Sequence, residues 1–170
     1  MELKNIVYST GKYNDYEVSL TSNTSIVTMK NALFISMDAD KKKWAFGYLT
    51  YIIIINNESN SMYENLLLTN IINTSLVEFV LDSVMINGLK GKYDYDNKIL
   101  NINIPNIEPN STTIIKFRVQ KKQNKFFILR SNTELHYNNM ILESNFVTVI
   151  SPINKSSRDN FSCDYPHFKN

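Results

Sequence analysis

The dominant pattern along this chain is alternation. Leu100, Ile102 and Ile104 are separated by Asn101 and Asn103, and Ile115, Phe117 and Val119 by Lys116 and Arg118. Tyr16, Val18 and Leu20 alternate with Glu17 and Ser19 in the same way. A period of two puts one set of side chains in a core and the other in water, which predicts half-buried β-strands. Leu49 to Ile55 is apolar on both faces and predicts a central strand. Asn87-Gly88 is a strong hairpin signal, and Asp96-Asn97, Pro109-Asn110 and Asn138-Asn139 are weaker ones. No stretch carries apolar residues at helical spacing over three turns; Ser59 to Asn65 could make at most one helical turn. Short strands with frequent turns predict an all-β sandwich or barrel.

One internal similarity stands out. Tyr13-Asn14-Asp15-Tyr16, Ser22-Asn23 and Val27-Thr28 are echoed by Tyr137-Asn138-Asn139-Met140, Ser144-Asn145 and Val147-Thr148. Each set reads as a strand, a tight turn, a second strand and a Ser-Asn step into a third. The intervals differ by two residues, which preserves strand parity and so the face each side chain occupies. Two readings stand: chance between hairpins in an Asn-rich chain, or a copy, in residues 1–30, of the closing strands of a domain not otherwise present.

Composition narrows the class. The chain has 170 residues and a formal net charge of +2, enough length for a core without disulfides. No basic patch dominates, so nucleic acid is not an expected partner. The skew towards Asn, Ile and Lys reflects AT-rich coding, whereas the β-branched and aromatic content fits pleated surfaces. The start, Met1-Glu2-Leu3-Lys4-Asn5, has no charged segment followed by a long apolar one, which predicts synthesis in the cytoplasm without a cleaved signal. The apolar run Tyr51 to Ile55 is too short to cross a membrane, so no membrane insertion is expected.

Candidate chemistry is sparse. There are two histidines, His136 in a strand pattern and His167 in a polar tail, and neither has a nucleophile at a recognised spacing. Gly88-Leu89-Lys90-Gly91-Lys92 resembles a phosphate loop only superficially and reads as a hairpin turn. Asp38, Asp40, Asp94 and Asp96 read as solvated loop carboxylates rather than a complete calcium loop. No catalytic residue, cofactor or metal site is expected. Cys163 is the single cysteine: it is either an incidental tail thiol or the site of an intermolecular disulfide, since it cannot pair within the chain.

The block Asp38-Ala39-Asp40-Lys41, Trp44-Ala45-Phe46-Gly47-Tyr48-Leu49-Thr50-Tyr51 and Asn56-Asn57 resembles a family of bacterial surface repeats known as domain of unknown function eleven. So do Tyr63-Glu64-Asn65-Leu66, Asp82 to Gly88, Tyr93-Asp94-Tyr95-Asp96, Ile107 to Thr112, Phe117-Arg118-Val119 and Ser131-Asn132-Thr133. The match spans roughly residues 22 to 150. The resemblance implies an immunoglobulin-like antiparallel sandwich, no catalysis, and a place in wall, sheath or spore-surface proteins. Its short form is similar to clostridial spore-coat or appendage subunits. Related surface domains join a first-strand Lys to a last-strand Asn by an isopeptide. Here that Lys position is Met37 while Asn132 stands at the partner position, so no such bond is expected, and Asn132 and Asn145 are read as structural asparagines near strand ends.

The sequence therefore predicts an N-terminal β arm (1–30), a sandwich (31–152) and an irregular C-terminal tail (153–170). The arm, through Tyr13, Tyr16, Val18, Leu20 and Ile26, is expected to add strands to a sheet edge of the next subunit. The expected partners are copies of the chain itself, with other spore-coat or surface proteins beside them, in a spore-surface or extracellular filament or lattice. The competing expectation is a monomeric adhesin or carbohydrate-binding module using Trp44, Tyr93 and Tyr95.

Overall fold

The structure is a computed structural model that describes residues 2–13, 16–22, 25–28 and 32–153. The chain divides into two compact units, residues 1–32 and 33–170. Among the described residues every element is a strand, and Ser59 to Asn65 contains bends and a bridge between Tyr63 and Ile107 rather than a helical turn. No helix among them is long and apolar enough to cross a membrane.

The first unit holds β1 (Glu2–Asn5), β2 (Tyr8–Tyr13), β3 (Tyr16–Thr21) and β4 (Ser25–Thr28). β2 pairs antiparallel with β3, and β1 with β4, so the described residues of the unit pair as a two-stranded ribbon.

The second unit begins with β5 (Leu33–Ala39), β6 (Leu49–Asn57), β7 (Leu66–Ile71), β8 (Val77–Phe79), β9 (Met85–Ile86) and β10 (Leu89–Lys90). It continues with β11 (Lys92–Asp96), β12 (Ile99–Ile104), β13 (Ser111–Lys121), β14 (Phe127–Ser131), β15 (Thr133–Tyr137), β16 (Met140–Glu143) and β17 (Val147–Ser151). One sheet has the order β10-β9-β13-β6-β5, with β8 also on β13; a second has the order β11-β12-β7-β15-β16; β14 and β17 form a separate pair. This is an antiparallel immunoglobulin-like β-sandwich.

The alternation in sequence becomes the two faces of these sheets. Ile115, Phe117 and Val119 of β13 and Leu100, Ile102 and Ile104 of β12 are buried, while Lys116 and Arg118 are exposed. β6 lies between β13 and β5, as a doubly apolar strand should, with Tyr51, Ile53 and Ile55 fully inside and Ile52 and Ile54 half-exposed on the outer face. Each such buried aliphatic side chain contributes about 1.5–3 kcal/mol. Aromatic rings pack within and between the layers. Tyr51 and Phe117, paired across β6 and β13 of the first sheet, lie 5.2 Å apart, and Phe79 of β8 reaches the second sheet, against Tyr95 of β11 at 4.9 Å and edge-on to Tyr93 at 5.4 Å.

Turn chemistry sets the registers. Asn87 and Gly88 both adopt positive φ, 49° and 83°, and join β9 to β10. The loop between β11 and β12 is Asn97-Lys98, one residue later than the sequence suggests, because Asp96 pairs with Ile99 and both loop residues take positive φ.

Candidate assembly site

The N-terminal ribbon is built like the end of the sandwich. The β2–β3 ladder runs to the pair Tyr13↔Tyr16, and the β15–β16 ladder to Tyr137↔Met140, at the same sequence separation. Below each hairpin a serine makes a reciprocal bridge. The Ser22 N–H donates to the Val7 carbonyl at 2.9 Å, and the Val7 N–H donates to Ser22 Oγ at 2.9 Å. In the sandwich the Ser144 N–H donates to the Thr133 carbonyl at 2.9 Å, and the Thr133 N–H donates to Ser144 Oγ at 3.0 Å.

Beyond the bridge the register steps by one residue in both places. Between Tyr8↔Thr21 and Asn5↔Ser25, one strand advances three residues and the other four; the same is true between Glu134↔Glu143 and Ser131↔Val147. An extra residue on one strand bends and twists a ladder, and is how strands switch between sheets. β1, β2, β3 and β4 thus correspond to β14, β15, β16 and β17. The sequence shows the echo only from Tyr13 onward. By register Leu3 opposite Val27 stands where Leu129 stands opposite Val149, so Val27 corresponds to Val149 and not, as the sequence echo has it, to Val147; the match of β1 to β14 emerges only from pairing.

What this arrangement does in the sandwich is visible. β15 pairs with β7, from Thr133↔Asn70 to His136↔Leu67. β17 lies against the segment after β5, where the Trp44 N–H donates to the Ile150 carbonyl at 2.8 Å and the Ile150 N–H to the Lys42 carbonyl at 2.9 Å. Asn145 secures β5 itself: its Nδ2 donates to the Met37 carbonyl at 2.9 Å and its Oδ1 accepts from the Met37 N–H at 3.0 Å. The asparagine facing Met37 is therefore Asn145, not Asn132. Asn132 offers its carbonyl to Asn70 Nδ2 at 2.6 Å, while Thr133 Oγ1 donates to the Thr69 carbonyl at 2.8 Å.

Two asparagines not singled out by sequence also tie strands together. Asn57 is buried; its Nδ2 donates to the carbonyls of Ser61, Ile107 and Glu108, and its Oδ1 accepts from the N–H and Oγ of Ser59. Asn70 donates to Ser131 Oγ at 3.1 Å besides the Asn132 carbonyl. The abundance of Asn hid them, though a Ser two positions after Asn57 is a usable turn signal.

In the arm, Tyr13, Tyr16, Val18, Leu20 and Ile26 sit on described strands, but their side chains lie outside the described residues. Asn23 and Cys163 lie outside them altogether. The ribbon does hold Val7 and Tyr8 in water, 60 % and 69 % exposed.

Trp44 is not a surface aromatic. It is 0 % exposed, edge-on to Phe127 at 6.4 Å, with its Nε1 donating to the Gly47 carbonyl at 3.0 Å. Tyr93 and Tyr95 are half-buried against Phe79. The three rings named for the carbohydrate expectation are therefore buried or half-buried. Phe46, by contrast, is 72 % exposed, in a loop braced by Trp44 and by Lys121, whose Nζ donates to the Ala45 carbonyl at 3.0 Å. Burial beside the Trp44 and Phe127 rings lowers the Lys121 pKa.

The carboxylates serve the backbone. Asp38 accepts from the Ala39 N–H and pairs with Lys42, whose hydrogen bond, helped by that N–H, holds its pKa below the usual range. Asp40 accepts from the Thr50 N–H at 2.8 Å. His136 Nε2 lies 3.3 Å from Glu134 Oε2. Among the described residues no group of three or more His, Cys, Asp or Glu side chains gathers to hold a metal.

No protein-family profile matches the chain, and no curated protein sequence matches it significantly. Solved structures share its fold, two of them over most of this chain. The chain is similar to BcpA, the major pilin subunit of Bacillus cereus, with a TM-score of 0.54 and 12 % identity, over 85 % of this chain and 51 % of that one. It is also similar to the C-terminal domain of the Streptococcus pyogenes antigen I/II-family protein AspA, with a TM-score of 0.53 and 11 % identity, over 86 % of this chain and 55 % of that one. The chain thus spans about half the length of each, and what it shares with them is the immunoglobulin-like sandwich fold.

Proposed function

We propose that this chain is a non-catalytic structural subunit that assembles head-to-tail with copies of itself, by β-strand addition, into a spore-surface or extracellular filament or lattice. The observation that carries this reading is the N-terminal ribbon. Two-stranded ribbons are marginal alone in water, and this one spends its length on main-chain pairing while exposing Val7 and Tyr8. A partner that supplies a third strand would satisfy its outer edge and cover that surface. Such a contact joins two different surfaces and does not close on itself, so it propagates. The likeness of the sandwich to a pilin subunit and the resemblance to bacterial surface repeats support the setting. Cys163, if oxidised between copies, would lock the assembly.

The experiment is negative-stain electron microscopy and light scattering on the purified chain, with and without reductant, beside a variant lacking residues 1–20. Ordered filaments or sheets from the full chain and none from the truncated one are expected. Normal filaments from the truncated chain would exclude the arm.

A second reading, a monomeric carbohydrate-binding module, draws on the braced loop that holds Phe46 in water beside Gln120 and Gln123. It predicts a monomer whose glycan binding is lost in Phe46→Ala with unchanged thermal stability.

A further inference from the structure

We infer that residues 2–28 are a second copy of the closing quartet β14–β17, and that the partner they fit is a second molecule of this chain, in the slot its own quartet fills. The inference rests on the self-assembly reading and names the acceptor that reading leaves open.

The argument is one of equivalence. Both segments pair first strand with fourth and second with third, both step one residue in register at the same place, and both carry the same reciprocal serine bridge at that step. A plain hairpin has no reason to contain that step. In the sandwich it serves to carry the chain from the β15–β16 side of one sheet to the β14–β17 pair. A ribbon with the step built in is shaped for a sandwich side, not for a flat sheet edge.

The slot is defined by what the quartet touches. β7 offers Asn70 to Leu67 as a ladder, and β5 offers the N–H and carbonyl of Met37. Each molecule carries a slot and two segments that fit it, one tethered after β13 and one before β5. Exchange of equivalent segments conserves the kind of contact made, so it needs little net energy. The tethered quartet has the advantage of high effective concentration. Against it, the ribbon's hairpin runs from Val7 to Tyr13 where the sandwich's runs from Thr133 to Tyr137, two residues more per strand and with the same parity. Assembly should therefore begin above a threshold concentration, and anything that loosens the resident quartet should lower it.

The test compares assembly onset, by light scattering and microscopy, for the full chain and three variants. Asn145→Ala and, as a milder change, Ser144→Ala loosen the resident quartet; Val7→Pro with Ser22→Pro removes the ribbon's bridge. The first two are expected to lower the onset concentration by about tenfold, the size of one lost hydrogen-bonded clip. The third is expected to stay monomeric, and excess peptide of residues 1–32 should stop growth of the unaltered chain. Onset unchanged by Asn145→Ala and Ser144→Ala, in a chain that still needs residues 1–20 to assemble, would overturn the slot while leaving strand addition intact. No assembly by any form would overturn both. If circular dichroism shows Asn145→Ala unfolded, the peptide decides: growth unaffected by it rejects the slot.

Discussion

The side-chain amide of Asn145 stands in for a strand. It takes both main-chain groups of Met37, the N–H at 3.0 Å and the carbonyl at 2.9 Å, as an antiparallel neighbour would. Met37 lies in β5, at the edge of its sheet, and its side chain is buried in the core. Asn145→Ala leaves two part-buried main-chain groups without this partner, at a cost of about 1–3 kcal/mol. Asn145→Asp keeps the acceptor but sets a carboxylate against the Met37 carbonyl, so it should lose at least as much. Urea unfolding of the two variants measures this, and a loss confined to a few tenths would mean water replaces the clip.

Asn57 makes a sharper case because it serves three segments at once. Its amide joins the end of β6 to the 59–61 turn and to Ile107 and Glu108, and it is 2 % exposed. Asn57→Asp replaces the donor to three carbonyls with an acceptor, inside a site that excludes water. The expected loss is about 3 kcal/mol or more, larger than for Asn57→Ala. The reverse ranking in thermal melts would show that the site opens to solvent when charged.

These asparagines mark where the sequence stops being informative. The alternation of Leu100, Ile102 and Ile104, or of Ile115, Phe117 and Val119, announces its own burial because period and face are the same fact. Asn145, Asn57 and Asn70 act through partners 108, 50 and 62 positions away, and beyond a nearby serine or strand end an Asn-rich chain gives no local sign of which partners they take. The ribbon shows both limits. Its hairpin and Ser-Asn step were legible as a repeat, but the pairing of β1 with β4 was not. Trp44 failed differently: an indole in a loop reads as surface, yet its N–H finds the Gly47 carbonyl and its ring finds Phe127, which lets it be buried.

Tyr51 supplies a pH dependence. Burial raises its phenol pKa far above the ordinary value, and a hydrogen bond with Ser131 offsets only part of that rise. Tyr95 is shifted the same way, by burial and by Glu78. In the unfolded chain these phenols ionise near pH ~10, where the folded protein still holds the protons. The folded state then binds more protons than the unfolded one, so stability falls as pH rises through this range and is flat in them below it. Urea midpoints between pH 8 and 11 should drop steadily, with a shallower slope in Tyr51→Phe. An equal slope in that variant would place the sensitivity elsewhere.

Gly88 and Gly91 lie three residues apart and are needed for different reasons. Gly88 sits at φ 83° in the two-residue turn with Asn87, and a Cβ there would meet nothing within 4 Å. Gly88→Ala therefore costs backbone strain alone, about 1 kcal/mol. Gly91 has no such φ, but a Cβ on it would come within 2.8 Å of Val84 Cγ1 and 3.0 Å of Ile86 Cγ1. Both neighbours are buried, and the Gly91 N–H is held on the Val84 carbonyl at 3.0 Å, so neither side can withdraw easily. Gly91→Ala is expected to cost about 1–3 kcal/mol by overpacking. The two mechanisms separate on a second change. Val84→Ala removes the atom in the way, so it should recover part of the Gly91→Ala loss and none of the Gly88→Ala loss. A double-mutant cycle in chemical denaturation reads this directly, and additive losses for Gly91→Ala with Val84→Ala would show that the contact is relieved by backbone movement instead.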